Sequence, residues 1–125
     1  MAEKFTNYLY NNNNRPVGSG AEVTIIDKHN TQYRQANSIC QIHSIYITQE
    51  YSGVSTNPEA DAARVSLFID SNGSKYMIAN NVLVLPNSSF YIEKTITLTE
   101  SQQLKLKNNG AEKTLHVVCS SVDIV

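Results

Sequence analysis

The chain has 125 residues, of which 41% are hydrophobic and 17% charged, enough for one hydrophobic core and not for two. Ten Lys and Arg against eleven Asp and Glu leave a net charge of -1, which excludes the basic field that steers a protein onto nucleic acid or an anionic membrane. The longest apolar run, Val82 to Leu85, is far short of a membrane span, and the Phe5 cluster is too short and polar for a signal-peptide core. These features predict a soluble protein made in a cytoplasm.

Residues 1–20 are set apart by composition. Phe5, Tyr8, Leu9 and Tyr10 precede Asn11 to Asn14, then Arg15-Pro16 and Gly18-Ser19-Gly20, an apolar hook followed by a flexible joint. Two readings stand side by side: an arm whose aromatics seek a partner surface, and an edge strand of the chain's own domain. Residues 21–125 read as the domain itself.

Val23 to Ile26 is a short β-branched strand. Ser38 to Thr48 carries Ile39, Ile42, Ile45 and Ile47, a pattern whose parity slips between Ile42 and Ile45. The density of β-branched residues favours a bulged or two-sided strand over a helix. Glu50 to Ala63 is poor in apolar residues and reads as a long surface loop, with one helical turn at most near Glu59 to Arg64. Val65, Leu67 and Ile69 alternate with Ser66, Phe68 and Asp70, and Asp70-Ser71-Asn72-Gly73 then turns the chain into Lys75 to Ala79, the clearest hairpin in the sequence.

Val82 to Leu85 is apolar on both parities, which predicts a strand covered on two sides. Phe90 to Ile92 and Ile96 to Leu98 are short strands. Leu104 and Leu106 face in while Lys105 and Lys107 face out, and Asn108-Asn109-Gly110 turns into a last apolar segment that runs through Val117, Val118 and Cys119 to Ile124. So apolar an ending needs a partner strand on each side. Seven to nine strands without an amphipathic helix predict an all-β fold, an antiparallel β-sandwich of jelly-roll-like form with an extended N-terminal arm.

The sequence offers no catalytic, cofactor or metal constellation. His29, His43 and His116 lie apart from one another, Cys40 and Cys119 have no CxxC spacing, and the five glycines are too scattered to cradle a phosphate. The cysteines read as small buried residues. Glu50, Glu59, Asp61 and Asp70 read as solvated loop charges, without the density of a calcium loop. His43 shares the parity of Ile45, which predicts that it points inward, away from any convergence with His116.

The stretch Cys40-Gln41-Ile42-His43-Ser44-Ile45-Tyr46-Ile47, the hairpin around Ser66 to Asp70, Val82 to Ser89, Ile96 to Leu106 and the ending Val117 to Ile124 together resemble small all-β virion structural proteins of tailed bacteriophages, of the kind found among marine and cyanobacterial phages. The resemblance spans residues 38–125 and lies in strand order and texture. It implies a virion protein made in the host cytoplasm, a capsid decoration or cement protein or a head, neck or tail component, whose partners are other virion proteins and further copies of itself. It also implies a carboxylate near the end of the last strand, which Asp123 supplies, and a small aliphatic residue where Cys119 stands.

On this reading the candidate contact residues are Phe5, Tyr8, Leu9 and Tyr10 on the arm, with Tyr51 and Val54 on the long loop. The alternative is a carbohydrate-binding β-sandwich for host recognition, which predicts clustered exposed tyrosines, with Tyr33, Tyr46, Tyr51 and Tyr76 as candidates.

Overall fold

The computed structural model describes residues 3–10, 15–27 and 39–124; Tyr33 and His29 lie outside them. Nine strands and no helix occupy the described residues: β1 (Glu3–Tyr10), β2 (Glu22–Asp27), β3 (Ile39–Glu50), β4 (Ala63–Ser71), β5 (Ser74–Val84), β6 (Ser89–Ile92), β7 (Ile96–Thr99), β8 (Gln102–Asn108) and β9 (Thr114–Ile124).

The strands form two antiparallel sheets packed face to face as a β-sandwich. The first sheet has the order β1-β9-β3-β6, with β7 pairing a second stretch of β3, and the other has the order β2-β8-β4-β5. The pairings nest along the chain: β1 with β9, β2 with β8, β3 with β6, and β4 with β5.

Alternation decides which side chains meet between the sheets. Ile42, Ile45, Ile47, Leu98, Leu115, Val117 and Cys119 from the first sheet are buried against Val65, Leu67, Leu104, Leu106 and Ile26 from the second. Each large aliphatic side chain so buried contributes roughly 1.5–3 kcal/mol over its exposed state. The final segment lies between β1 and β3, which gives the apolar C-terminal run a partner on each side.

The parity slip in β3 is a bulge, with the ladder to β9 shifting between Ile42 and Ser44. The extra residue is His43, and it is exposed. The inward position expected for it is therefore corrected: the bulge absorbs the change of parity at His43 itself, so Ile42 and Ile45 both face the core.

A second correction concerns Val82 to Leu85. This segment is not a strand covered on two sides: Val82 to Val84 form the far end of β5, the edge strand of its sheet, and Leu85 follows it. Asn81 at φ 52° interrupts the strand, Val84 turns into the core, and Leu83 and Leu85 remain exposed.

The β4–β5 hairpin closes through Asn72 at φ 52° and Gly73 at φ 92°, the left-handed pair that a two-residue turn between twisted strands requires. Asp70 Oδ1 accepts the Gly73 amide at 2.8 Å. That bond, followed by Lys105, holds the Asp70 carboxyl below its usual range.

Residues 15–21 are built into the sandwich. Val17 is buried in the core and pairs with Lys113. Its carbonyl accepts the side-chain amide of Asn108 at 2.8 Å, and the same amide reaches the Ala111 carbonyl at 2.9 Å. Asn108 also exchanges backbone bonds with Gly20 and Ala21. One buried amide thus ties the segment after the N-terminal strand to the β8–β9 turn, where burial without such partners would carry a large penalty.

Candidate interaction surface

Glu3–Tyr10 lies along β9 in register, from Glu3 opposite Ile124 to Tyr10 opposite Val117. The segment is therefore an edge strand of its own sheet in this structure. Alternation splits its candidate residues into two sets. Tyr8 and Tyr10 pack against the core, whereas Phe5 and Leu9 project from the outer face, 81% and 71% exposed.

Tyr8 donates its hydroxyl to Asp123 Oδ2 at 2.7 Å. Burial, followed by the bond to Asp123, raises the phenol above its ordinary value. Beside this bond, Asp123 Oδ1 and Thr6 Oγ1 are buried without a hydrogen-bond partner among the described residues. The carboxylate near the end of the last strand therefore has a structural use, since it receives the inward tyrosine of β1.

Tyr51 and Val54 belong to the loop between β3 and β4. Tyr51 is held there: its backbone exchanges bonds with the Asn87 side chain, and its hydroxyl donates to Asp61 Oδ2 at 3.1 Å. Asp61 also accepts from Ser55 Oγ at 2.7 Å, and this bond first, then Tyr51, holds its carboxyl low. The charge expected to be merely solvated is the hub of the loop. Val54 is 91% exposed on the same loop.

The outer face that carries Leu9 holds a row that was not apparent in the sequence. Leu9 is opposite Val118, Val118 opposite Tyr46, and Tyr46 opposite Tyr91, so four exposed side chains cross four of the five strands of the sheet, β1, β9, β3 and β6. The Tyr46 and Tyr91 rings stack with centroids 5.8 Å apart and planes at 28°, and Tyr46 donates its hydroxyl to Glu93 Oε1 at 2.9 Å. That bond raises the Tyr46 phenol. Tyr91 was missed as a candidate; its alternation with Phe90 and Ile92 was the available signal. Tyr76 is exposed on β5, in the other sheet.

The opposite outer face is charged. Phe68 points outward from β4 yet is fully buried, because Lys75 lies 5.0 Å over its ring. Lys75 pairs with Glu22 at 2.8 Å and Lys105 with Asp70 at 3.1 Å. Lysine stems cover the ring while their ammonium groups stay in water.

Among the described residues the histidines and cysteines stand apart from one another. His116 meets Glu50 at 2.9 Å, while His43 stands five residues along β3 from Thr48, the ladder partner of His116, about 16 Å by strand rise. Among the described residues no three His, Cys, Asp or Glu side chains group as metal ligands do. Cys40 is opposite Asp123 and Cys119 opposite Ile45, so their backbones lie about 13 Å apart along β9, beyond disulfide reach. Burial, followed by electrostatic repulsion from Cys40, pushes the Cys119 thiol up to about 12.

No protein-family model matches the chain, and no curated protein is significantly similar to it.

Proposed function

We propose that the chain is a structural protein of a tailed-bacteriophage virion that acts through protein–protein contact, as a capsid decoration or cement protein or as a component of the head, neck or tail. Its resemblance to such proteins over residues 38–125 supports this reading. So does the nested strand order, which we read as jelly-roll-like: a five-strand layer, β1-β9-β3-β6 with β7 also on β3, and a four-strand layer, β2-β8-β4-β5, wound from one long hairpin.

The observation that carries the proposal is the pair Phe5 and Leu9, two large apolar side chains held in water on the outward side of a strand whose other side is docked. A fixed strand presents such side chains without a further ordering cost, so a partner gains their burial directly. Individually weak contacts repeated around a symmetric particle then add through high effective concentration. The partners are other virion proteins and further copies of this chain. We assign the protein no catalytic step.

Mass spectrometry of purified particles tests the proposal. The chain is expected among the structural proteins at a stoichiometric copy number, and the double substitution Phe5→Ser and Leu9→Ser is expected to lower its occupancy. Particles that lack the chain altogether would overturn the reading.

A further inference from the structure

The row across the outer face of the first sheet differs in chemistry from the rest of the surface. Its two tyrosines are exposed, Tyr91 to 60% and Tyr46 to 36%, and are braced against each other by stacking and by the Tyr46 bond to Glu93. Next along the same strands, Thr48 and Ser89 share a hydroxyl–hydroxyl bond of 2.7 Å. The nearest charge beyond these is Glu50, itself paired with His116. Aromatic faces and neutral hydroxyls therefore occupy this part of the face, with Glu93 and Lys94 beside Tyr91 and the Glu50–His116 pair beyond Thr48, while lysines and their acidic partners occupy the opposite face.

We propose that Tyr46, Tyr91 and Glu93 form a binding site for an uncharged oligosaccharide. A sugar ring has an apolar face of C–H groups and a rim of hydroxyls that both donate and accept. An exposed tyrosine ring offers the first a flat apolar surface. Glu93 offers the second an acceptor, because a carboxylate has room for several hydrogen bonds and the Tyr46 hydroxyl uses one. At the margin of the row Lys94 stands next to Glu93 and His116 is paired with Glu50, so no single sign of charge dominates and an uncharged ligand is favoured over an ionic one.

The bracing matters as much as the groups. Two rings already fixed in place lose little freedom when a ligand stacks on them. From the Tyr46–Tyr91 pair to the Thr48–Ser89 pair the site covers one inter-strand gap, about 5 Å, and two residues of strand, about 7 Å, enough for one or two units of an oligosaccharide. The site is independent of the contact role given to Phe5 and Leu9, and it stands or falls separately.

The test uses the full chain on an array of neutral oligosaccharides of glucose, galactose, mannose and N-acetylglucosamine, followed by calorimetric titration with the strongest binder. Binding to at least one member is expected, weakened about tenfold or more by Tyr91→Ala and retained in Tyr91→Phe, which keeps the ring. Tyr76→Ala, an exposed tyrosine removed from the other sheet, is expected to bind as the wild type does. Because Tyr91 is exposed, its removal leaves the core intact, and circular dichroism verifies this. No binding anywhere on the array, or an unchanged affinity in Tyr91→Ala, would overturn the proposal.

Discussion

Tyr8 and Asp123 stand 115 positions apart in the chain, yet the tyrosine hydroxyl lies 2.7 Å from the carboxylate. The bond joins the first strand to the end of the last and sits beside two buried oxygens, Asp123 Oδ1 and Thr6 Oγ1, that have no partner among the described residues. Removing the hydroxyl leaves a part-buried carboxylate without either bond, and such a group costs about 1–3 kcal/mol. Tyr8→Phe is therefore expected to lower unfolding stability by that amount in urea denaturation, with β1 showing the largest gain in amide exchange.

The same region sets the alkaline limit. Burial raises the Cys119 thiol from 9.0 to about 12, and burial with the Asp123 bond raises the Tyr8 phenol above 10.0. Both groups are held neutral in the folded chain while the unfolded chain releases their protons at lower pH. Their contribution is thus complete below about pH 9 and declines as pH rises above it. Urea midpoints are expected to fall between about pH 9 and pH 12, with a shallower fall in Cys119→Ala than in the wild type.

Asn108 is the buried clasp of residues 15–21, with bonds to Val17 and Ala111 through one amide. Asn108→Ala strands both carbonyls, and at about 1–3 kcal/mol for each unsatisfied group it ranks among the most damaging single changes. Amide exchange at Val17, Gly20 and Ala21, whose N–H groups are hydrogen-bonded in the folded chain, is expected to accelerate strongly in this variant, because local opening frees the segment.

At the β4–β5 turn, Gly73 adopts φ 92°. No atom crowds the position where a side chain would begin, so the penalty for Gly73→Val is one of backbone conformation alone, about 1–3 kcal/mol. A lower midpoint of thermal unfolding with an unchanged circular dichroism spectrum is the expected result.

Local patterning carried most of the fold. The alternation of Leu104 and Leu106 with lysines, the Asn72-Gly73 hairpin and the parity slip near Ile42 each have a cause within a few residues, and each corresponds to a structural feature. What stayed hidden depends on distant partners. Nothing near Val17 or Asn108 in the sequence signals that they meet, and Tyr91 becomes notable only once β6 is laid against β3 beside Tyr46. His43 shows the limit from the other side: the slip was legible, but which residue would be expelled was decided by the ladder to β9.

The expected arm was legible as an apolar hook, and its register along β9 was not. That register changes how the arm should be probed. Deleting residues 1–20 also removes Val17 from the core, so such a truncation reports on folding as well as contact. Side-chain substitutions on the outward side of β1 separate the two, because exposed positions away from special contacts alter stability by about 0.5 kcal/mol or less.

The most direct measurement is the solution mass, by light scattering over a range of concentrations, of the wild-type chain and of the Phe5→Ser, Leu9→Ser variant. Assembly through β1 predicts a closed oligomer for the wild type and dissociation toward monomer for the variant, with matching unfolding curves. A wild-type chain that stays monomeric at every concentration, or an oligomer indifferent to the substitutions, would contradict it.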